Sequence, residues 1–196
     1  MTWGHGAGGV GDVPLRHTRR AAGRGAHRTD PDARLSDELA AVVACARRRA
    51  VRDGDRQIDT AHLLHSLLES DPEVRGVFDG PQTARLLGYL VQRAIGYGLR
   101  WRGSVEDSGA GSVPSGSGGW SPAAASAVNA ACARAERRGG ARARGLDLLA
   151  LIAADPGSRA VEVLARSGVD VRALAARIDA VAAVEGCAGD GGVVAR

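Results

Sequence analysis

The sequence contains no lysine, and this absence excludes one large class of functions. All 26 basic residues among the 196 are arginine. A nucleotide-binding P-loop needs a lysine to reach the phosphates, so the sequence holds no such loop. Aromatic residues make up only 3% of the chain, which leaves little ring surface for stacking on bases or sugars. The composition therefore disfavours both a P-loop ATPase and a base-stacking platform.

Cysteine is scarce as well, and long apolar runs are missing. The three cysteines, Cys45, Cys132 and Cys187, are odd in number and form no Cys-x-x-Cys pair, so we expect no disulfide framework. No apolar stretch reaches the length that spans a bilayer, and the N-terminus lacks the hydrophobic segment of a secretory signal. We expect a soluble cytoplasmic protein with reduced thiols and no membrane partner.

The net charge of +4 comes mostly from one end of the chain. Residues 1–34 contain six arginines against three aspartates, and the remaining chain is close to neutral. Such a segment can contact nucleic acid by charge alone. A solvated tail explains the same residues, and the near-neutral remainder offers nucleic acid no second surface. We therefore favour the solvated tail.

Glycine marks the joints of the chain, because it is costly inside helices. It is concentrated in three segments that separate and flank two stretches with the same order of elements. We predict a disordered Arg/Gly-rich leader (1–34), a first repeat (35–96), a Gly/Ser-rich linker (97–119), a second repeat (120–185) and a flexible tail (186–196).

Each repeat reads as four helices, because Leu, Val and Ala recur with helical spacing and no segment alternates convincingly as a strand. We predict an all-α fold of eight helices at 36–53, 60–69, 72–79, 82–96, 121–138, 146–154, 157–167 and 170–184. The third helix should be about one turn shorter than the seventh.

Several predicted helices begin at a side chain that can accept an orphan amide hydrogen. Ser36 and Ser121 open the first helix of each repeat, Asp59 or Thr60 suits the second helix, and Asp170 suits the last. The second repeat has Arg144 and Gly145 in place of Asp59 and Thr60. That pair is a poorer cap.

Three strings in these repeats resemble a known family. Residues 58–68, Ile-Asp-Thr-Ala-His-Leu-Leu-His-Ser-Leu-Leu, are similar to the Ile-Gly-Thr-Glu-His signature of the Clp N-terminal repeat. Residues 120–123, Trp-Ser-Pro-Ala, resemble the Phe-Thr-Pro-Arg that opens the second repeat in ClpC-type chaperones. Residues 168–174 resemble the family's Leu-Gly-Val-Asp ending. The resemblance extends from Leu35 to Val184.

The resemblance implies a double four-helix domain with pseudo-twofold symmetry. In ClpC-like and ClpA-like machines this domain precedes the ATPase rings and receives adaptors and substrates. The ATPase rings need a P-loop lysine, and this sequence has no lysine. We therefore expect the docking domain without the ATPase modules. Its partners would be peptides, proteins such as a ClpC-type chaperone or its adaptors, or cyclic-peptide antibiotics. It would modulate a Clp chaperone-protease or act as a decoy for it.

Two other functions remain open at this point. One is a small nucleic-acid-associated regulator that uses the Arg-rich leader, and the other is a homodimeric structural module. No arrangement of Cys, Ser or paired carboxylates suggests nucleophilic or acid–base chemistry, so we do not expect an enzyme.

The resemblance also indicates candidate binding residues. In the ClpC branch each repeat can bind phosphoarginine through a Glu after the signature Thr and a hydroxyl in the opening motif. The Glu positions match Ala61 and Leu146 here, so we expect phosphoarginine docking to be lost. The hydroxyl positions survive as Ser36 and Ser121, although helix caps explain both serines and are the explanation we favour.

Trp120 takes the place of the family's Phe, and Leu35 is the matching position in the first repeat. Cyclic-peptide antibiotics bind this region of some ClpC relatives, and a large ring at a helix entrance can anchor a peptide. A hydrophobic staple that closes the helix is the alternative, which we favour. Leu35, Ser36, Trp120 and Ser121 are thus the candidate ligand-binding residues.

His62 and His65 are three residues apart on one predicted helix face and could share a metal ion. Asp59 is the only carboxylate we consider close enough to join them, and the second repeat has Asp147 where His62 falls. We therefore expect a structural His62, with no metal and no cofactor.

Overall fold

A computed structural model describes Met1 and residues 31–94, 106, 119–140 and 142–189. These residues contain eight α-helices and no strand, as the sequence predicted. The helices are α1 (Asp37–Asp53), α2 (Thr60–Ser70), α3 (Pro72–Gly76), α4 (Gly80–Ala94), α5 (Pro122–Arg137), α6 (Gly145–Ala154), α7 (Arg159–Arg166) and α8 (Val171–Gly189). In the part of the chain so described, no helix is both long and apolar enough to cross a membrane.

The predicted cap residues begin the helices. The hydroxyls of Ser36 and Ser121 each accept a hydrogen bond at 3.1 Å, from the amides of Leu39 and Ala124. Asp59 caps α2 by accepting from the amide of His62 at 2.8 Å. Arg144 makes no side-chain cap bond at the start of α6, which confirms the poorer cap of the second repeat.

The core is built from leucine, valine and alanine, with α2 and α6 at its centre. Helix α2 packs against α1, α3, α4, α6 and α7. Its four leucines, Leu63, Leu64, Leu67 and Leu68, are fully buried, as are Leu148, Leu149 and Ile152 of α6. Burial of one such side chain stabilises a fold by roughly 1.5–3 kcal/mol. The apolar runs at residues 63–68 and 146–152 are therefore the main source of stability.

The two halves exchange backbone contacts in a crossed pattern. Leu35, just before α1, forms an isolated bridge with Ala143, just before α6, and Trp120, just before α5, forms one with Ile58, just before α2. The bonds are short, for example 2.8 Å from the amide of Ser36 to the carbonyl of Ala143. The two halves are thus joined by backbone bonds at the starts of α1, α2, α5 and α6.

The helix boundaries depart from the prediction at a few ends. Helix α3 stops at Gly76, and α7 is three residues longer, eight against five, which confirms the predicted one-turn difference. Helix α8 runs to Gly189, into the segment predicted as a flexible tail. Pro31–Arg34, within the predicted leader, form a short 3-10 helix, and the carbonyl of Arg34 accepts from the amide of Ala143 at 2.9 Å. Most of the predicted leader and linker lies outside the described residues.

Candidate partner-binding surface

The four candidate residues from the sequence divide into two pairs, one at each crossed bridge. Leu35 is only 2% exposed and belongs to the core, so it offers almost no surface to a ligand. Ser36 is engaged as the cap of α1. Trp120 is half-buried and packs against the core, as a hydrophobic staple would, and Ser121 is buried. Their role in ligand binding stays a prediction.

The buried side chain of Ser121 leads to a residue that the sequence analysis did not single out. Glu106, in the predicted linker, is 3% exposed and lies at the starts of α2, α5 and α7. One carboxylate oxygen accepts from the amide of Thr60 and the hydroxyl of Ser121, both at 2.8 Å. The other accepts from the hydroxyl of Thr60 at 2.9 Å and the amide of Arg159 at 2.8 Å. Helix N-termini favour a negative charge, so Glu106 joins the halves.

Arg159 extends this network to the cap of α2. Its Nη1 lies 2.5 Å from Oδ2 of Asp59. Burial alone would raise the pKa of the Asp59 carboxyl, but hydrogen bonding and charge from His62, together with Arg159, lower it to about 2. Asp59 is therefore ionised at neutral pH and holds α2 and α7 together.

The surroundings of His62 differ from the sequence-based expectation. We considered Asp59 the only carboxylate near this ring, and that was wrong. The last residue of α1 and the loop after it lie beside the first turn of α2, so that Asp55 Oδ2 lies 3.2 Å and Asp53 Oδ2 3.9 Å from Nε2 of His62. Burial lowers the pKa of His62, but the carboxylates of Asp59, Asp55 and Asp53 outweigh burial and raise it.

His65 lies one turn further along α2 and behaves differently. It is 3% exposed. Burial, followed by the positive charge of Arg49, lowers its pKa to about 4. His65 is therefore neutral at pH 7, and its environment is unlike that of His62.

The corresponding position in the second half has the opposite polarity. Asp147, buried at the third position of α6, takes the place of His62. Arg138 Nη2 lies 2.5 Å and Arg134 Nε 3.5 Å from its Oδ1. The first half thus surrounds a base with acids, whereas the second half surrounds an acid with bases.

A shallow groove of about 260 Å³ lies between α5 and α6. Small side chains make room for it, and apolar ones form most of its lining: Ala123, Ser126, Ala127 and Ala130 from α5, with Leu151, Ala154 and Asp155 from α6 and its end. The sequence analysis did not single out this groove. The alanines at helical spacing on α5 were the available signal.

Comparison with solved structures identifies the architecture. The chain is similar to the N-terminal domain of the caseinolytic protease associated chaperone ClpD from Arabidopsis thaliana, with a TM-score of 0.57 and 19% sequence identity. The alignment covers 74% of this chain and 92% of that one. The fold is that of a Clp N-terminal domain. No protein-family model matches the sequence, and no curated protein matches it either.

The two positions that the resemblance matches to the phosphoarginine-binding Glu are both buried. Ala61 is 6% and Leu146 3% exposed. Neither supplies a carboxylate that could pair with a guanidinium. The loss of phosphoarginine docking remains a prediction, and these side chains are consistent with it.

Proposed function

We propose that this chain is a cytoplasmic protein-binding module rather than an enzyme. It docks a short apolar segment of a protein partner in the α5–α6 groove, and it thereby modulates a Clp chaperone-protease or competes with it for ligands. The Clp N-domain fold supports a binding role, and the groove is the observation that carries the choice of surface.

The lining of the groove indicates the kind of segment it suits. The alanine side chains of α5 are small and leave space in the groove, and Leu151 supplies apolar contact. An aliphatic side chain can therefore be buried there. Asp155 stands exposed at the end of α6. A partner segment with an aliphatic residue followed by an arginine or lysine would satisfy both features.

A cyclic-peptide antibiotic is the second ligand worth testing, because such molecules are largely apolar and preorganised. Trp120 packs against the core rather than standing free. The groove is therefore the better candidate for the contact, with Trp120 as a support for the start of α5.

Competition with a ClpC chaperone-protease tests the proposal. The full-length chain is added to a ClpC–protease that degrades a fluorescent substrate, and its binding to a ClpC-directed cyclic peptide and to a phosphoarginine peptide is measured by calorimetry. We expect the chain to inhibit degradation in a dose-dependent way or to release heat on binding the cyclic peptide. We expect no heat of binding with the phosphoarginine peptide.

Two substitutions on α5 form a matched pair. Ser126→Arg places a long charged side chain in the groove, whereas Asn129→Arg places the same side chain on the same helix outside the lining; both positions are exposed. The first variant should lose inhibition and binding, and the second should keep them. Equal behaviour of the two variants, or silence of the wild-type chain in every assay, would refute the proposal.

A further inference from the structure

The imidazole of His62 has two ring nitrogens, and the inner one, Nδ1, lies beside a carboxylate. Nδ1 lies 2.7 Å from Oδ1 of Asp59 and 3.2 Å from the backbone amide nitrogen of the same residue. In the longer contact the amide N–H of Asp59 donates to Nδ1, so the backbone and the carboxylate of Asp59 together fix the ring through this nitrogen. Asp59 is itself fixed by Arg159. A carboxylate that orients an imidazole through one nitrogen, leaving the other for a cation, is the usual second layer of a histidine metal site.

The outer nitrogen faces two more carboxylates. Oδ2 of Asp55 lies 3.2 Å and Oδ2 of Asp53 3.9 Å from Nε2 of His62. Ligand atoms of Asp55, Asp59 and His62 all lie within 4.8 Å of one another. The side chain of Asp55 is 44% exposed, so it can move the small distance that coordination requires.

These groups line a cavity of about 190 Å³, which gives an ion and its water ligands room. His65 lines the same cavity. Its Nε2 is buried and makes no hydrogen bond among the described residues, although Oε1 of Glu69 is 3.2 Å away. A buried ring nitrogen without a hydrogen bond in the same cavity is an independent sign that the cavity accommodates a ligand.

The other lining residues narrow the kind of cation. Arg49 and Arg93 also line the cavity, and Arg49 is paired with Glu69. The positive charges of the two arginines would weaken the binding of a cation held by charge alone, such as Mg²⁺ or Ca²⁺. Zinc and similar first-row ions form a directional bond with an imidazole nitrogen and accept carboxylates beside it.

We propose that His62 Nε2, Asp55 and Asp53 bind a divalent transition-metal ion of the zinc type, with Asp59 as the residue that orients the imidazole. The site is independent of the α5–α6 groove. It also revises our sequence-based expectation of no metal, which rested on Asp59 being the only carboxylate close to His62.

The test is calorimetric titration of the full-length chain with ZnCl₂, and with MgCl₂ for comparison, together with the absorption spectrum of the Co²⁺ form. We expect one zinc ion per chain, no heat with magnesium, and visible bands of Co²⁺ bound by nitrogen and oxygen. Asp55→Asn should weaken zinc binding at least tenfold, and His62→Gln should abolish it. Circular dichroism of both variants checks that the helices persist.

Two controls separate this site from other zinc ligands. Asp37→Asn removes an exposed carboxylate of α1 far from the cavity lining, and a triple variant changes the histidines of the leader, His5, His17 and His27, to Gln. Both should bind zinc as the wild type does. Zinc binding that survives in folded Asp55→Asn and His62→Gln, or that disappears in the leader variant, would overturn the proposal.

Discussion

Replacement of Glu106 by Gln tests the most unexpected contact in the fold. The carboxylate accepts four hydrogen bonds, two on each oxygen. An amide keeps one acceptor oxygen but presents N–H groups where the other oxygen stood. Each carboxylate oxygen accepts one backbone N–H, so either orientation of the amide leaves the amide of Thr60 or that of Arg159 without its acceptor. A buried donor without an acceptor costs roughly 1–3 kcal/mol, and bonds to a charged acceptor are stronger than those to a neutral one. We therefore expect Glu106→Gln to lower the free energy of unfolding by about 3 kcal/mol.

Urea unfolding followed by far-UV circular dichroism measures this loss directly, because the fold is helical. Glu136→Gln is the matched control: it makes the same chemical change in an ion pair whose carboxylate side chain is 63% exposed. Exposed pairs contribute at most about 1 kcal/mol. If Glu106→Gln cost no more than the control, the assignment of Glu106 as the residue that joins the three helix starts would be incorrect.

Three further predictions concern stability. Leu64→Ala, in the fully buried face of α2, should cost about 2–5 kcal/mol in urea unfolding; a loss below about 1 kcal/mol would contradict a close-packed core. Gly145→Ala should lower the melting temperature, because its new Cβ would collide with the Asp71 carboxylate, which caps α3; an unchanged melting temperature would show that Asp71 moves freely. His65, whose pKa falls from 6.5 to about 4 on folding, should make the wild type lose roughly 2–3 kcal/mol as pH drops from 6.5 to 4. The unfolded state takes up the proton first in that window, and His65→Gln should remove this part of the pH dependence.

The helices could be predicted because their signals are local. Serine or aspartate at a helix start, glycine after its end and leucine at helical spacing lie within a few residues of what they determine. Asp59 and Ser121 cap their helices as predicted. The order of eight elements, and with it the resemblance to the Clp N-domain, therefore followed from the sequence.

The contacts of Glu106, His62 and Leu35 could not be predicted in the same way, because they form between segments that are distant in the sequence. Glu106 lies in a Gly/Ser-rich stretch and meets Thr60 and Arg159, which nothing in its neighbours indicates. Asp53 and Asp55 approach His62 because the end of α1 and the loop after it lie beside the start of α2. Burial of Leu35, which its place in the opening motif did not suggest, follows from the bridge to the other half.

The opposite polarity around His62 and Asp147 argues against two equivalent ligand sites in the two predicted repeats. Carboxylates face His62 in one half, and arginines face Asp147 in the other. We expect a charged group that is attracted to one position to be repelled at its counterpart, so that one copy of the chain holds at most one such group there. Two such groups tethered on one partner would gain no avidity from a single copy of this chain. Only two copies, brought together by other means, could bind both groups at once.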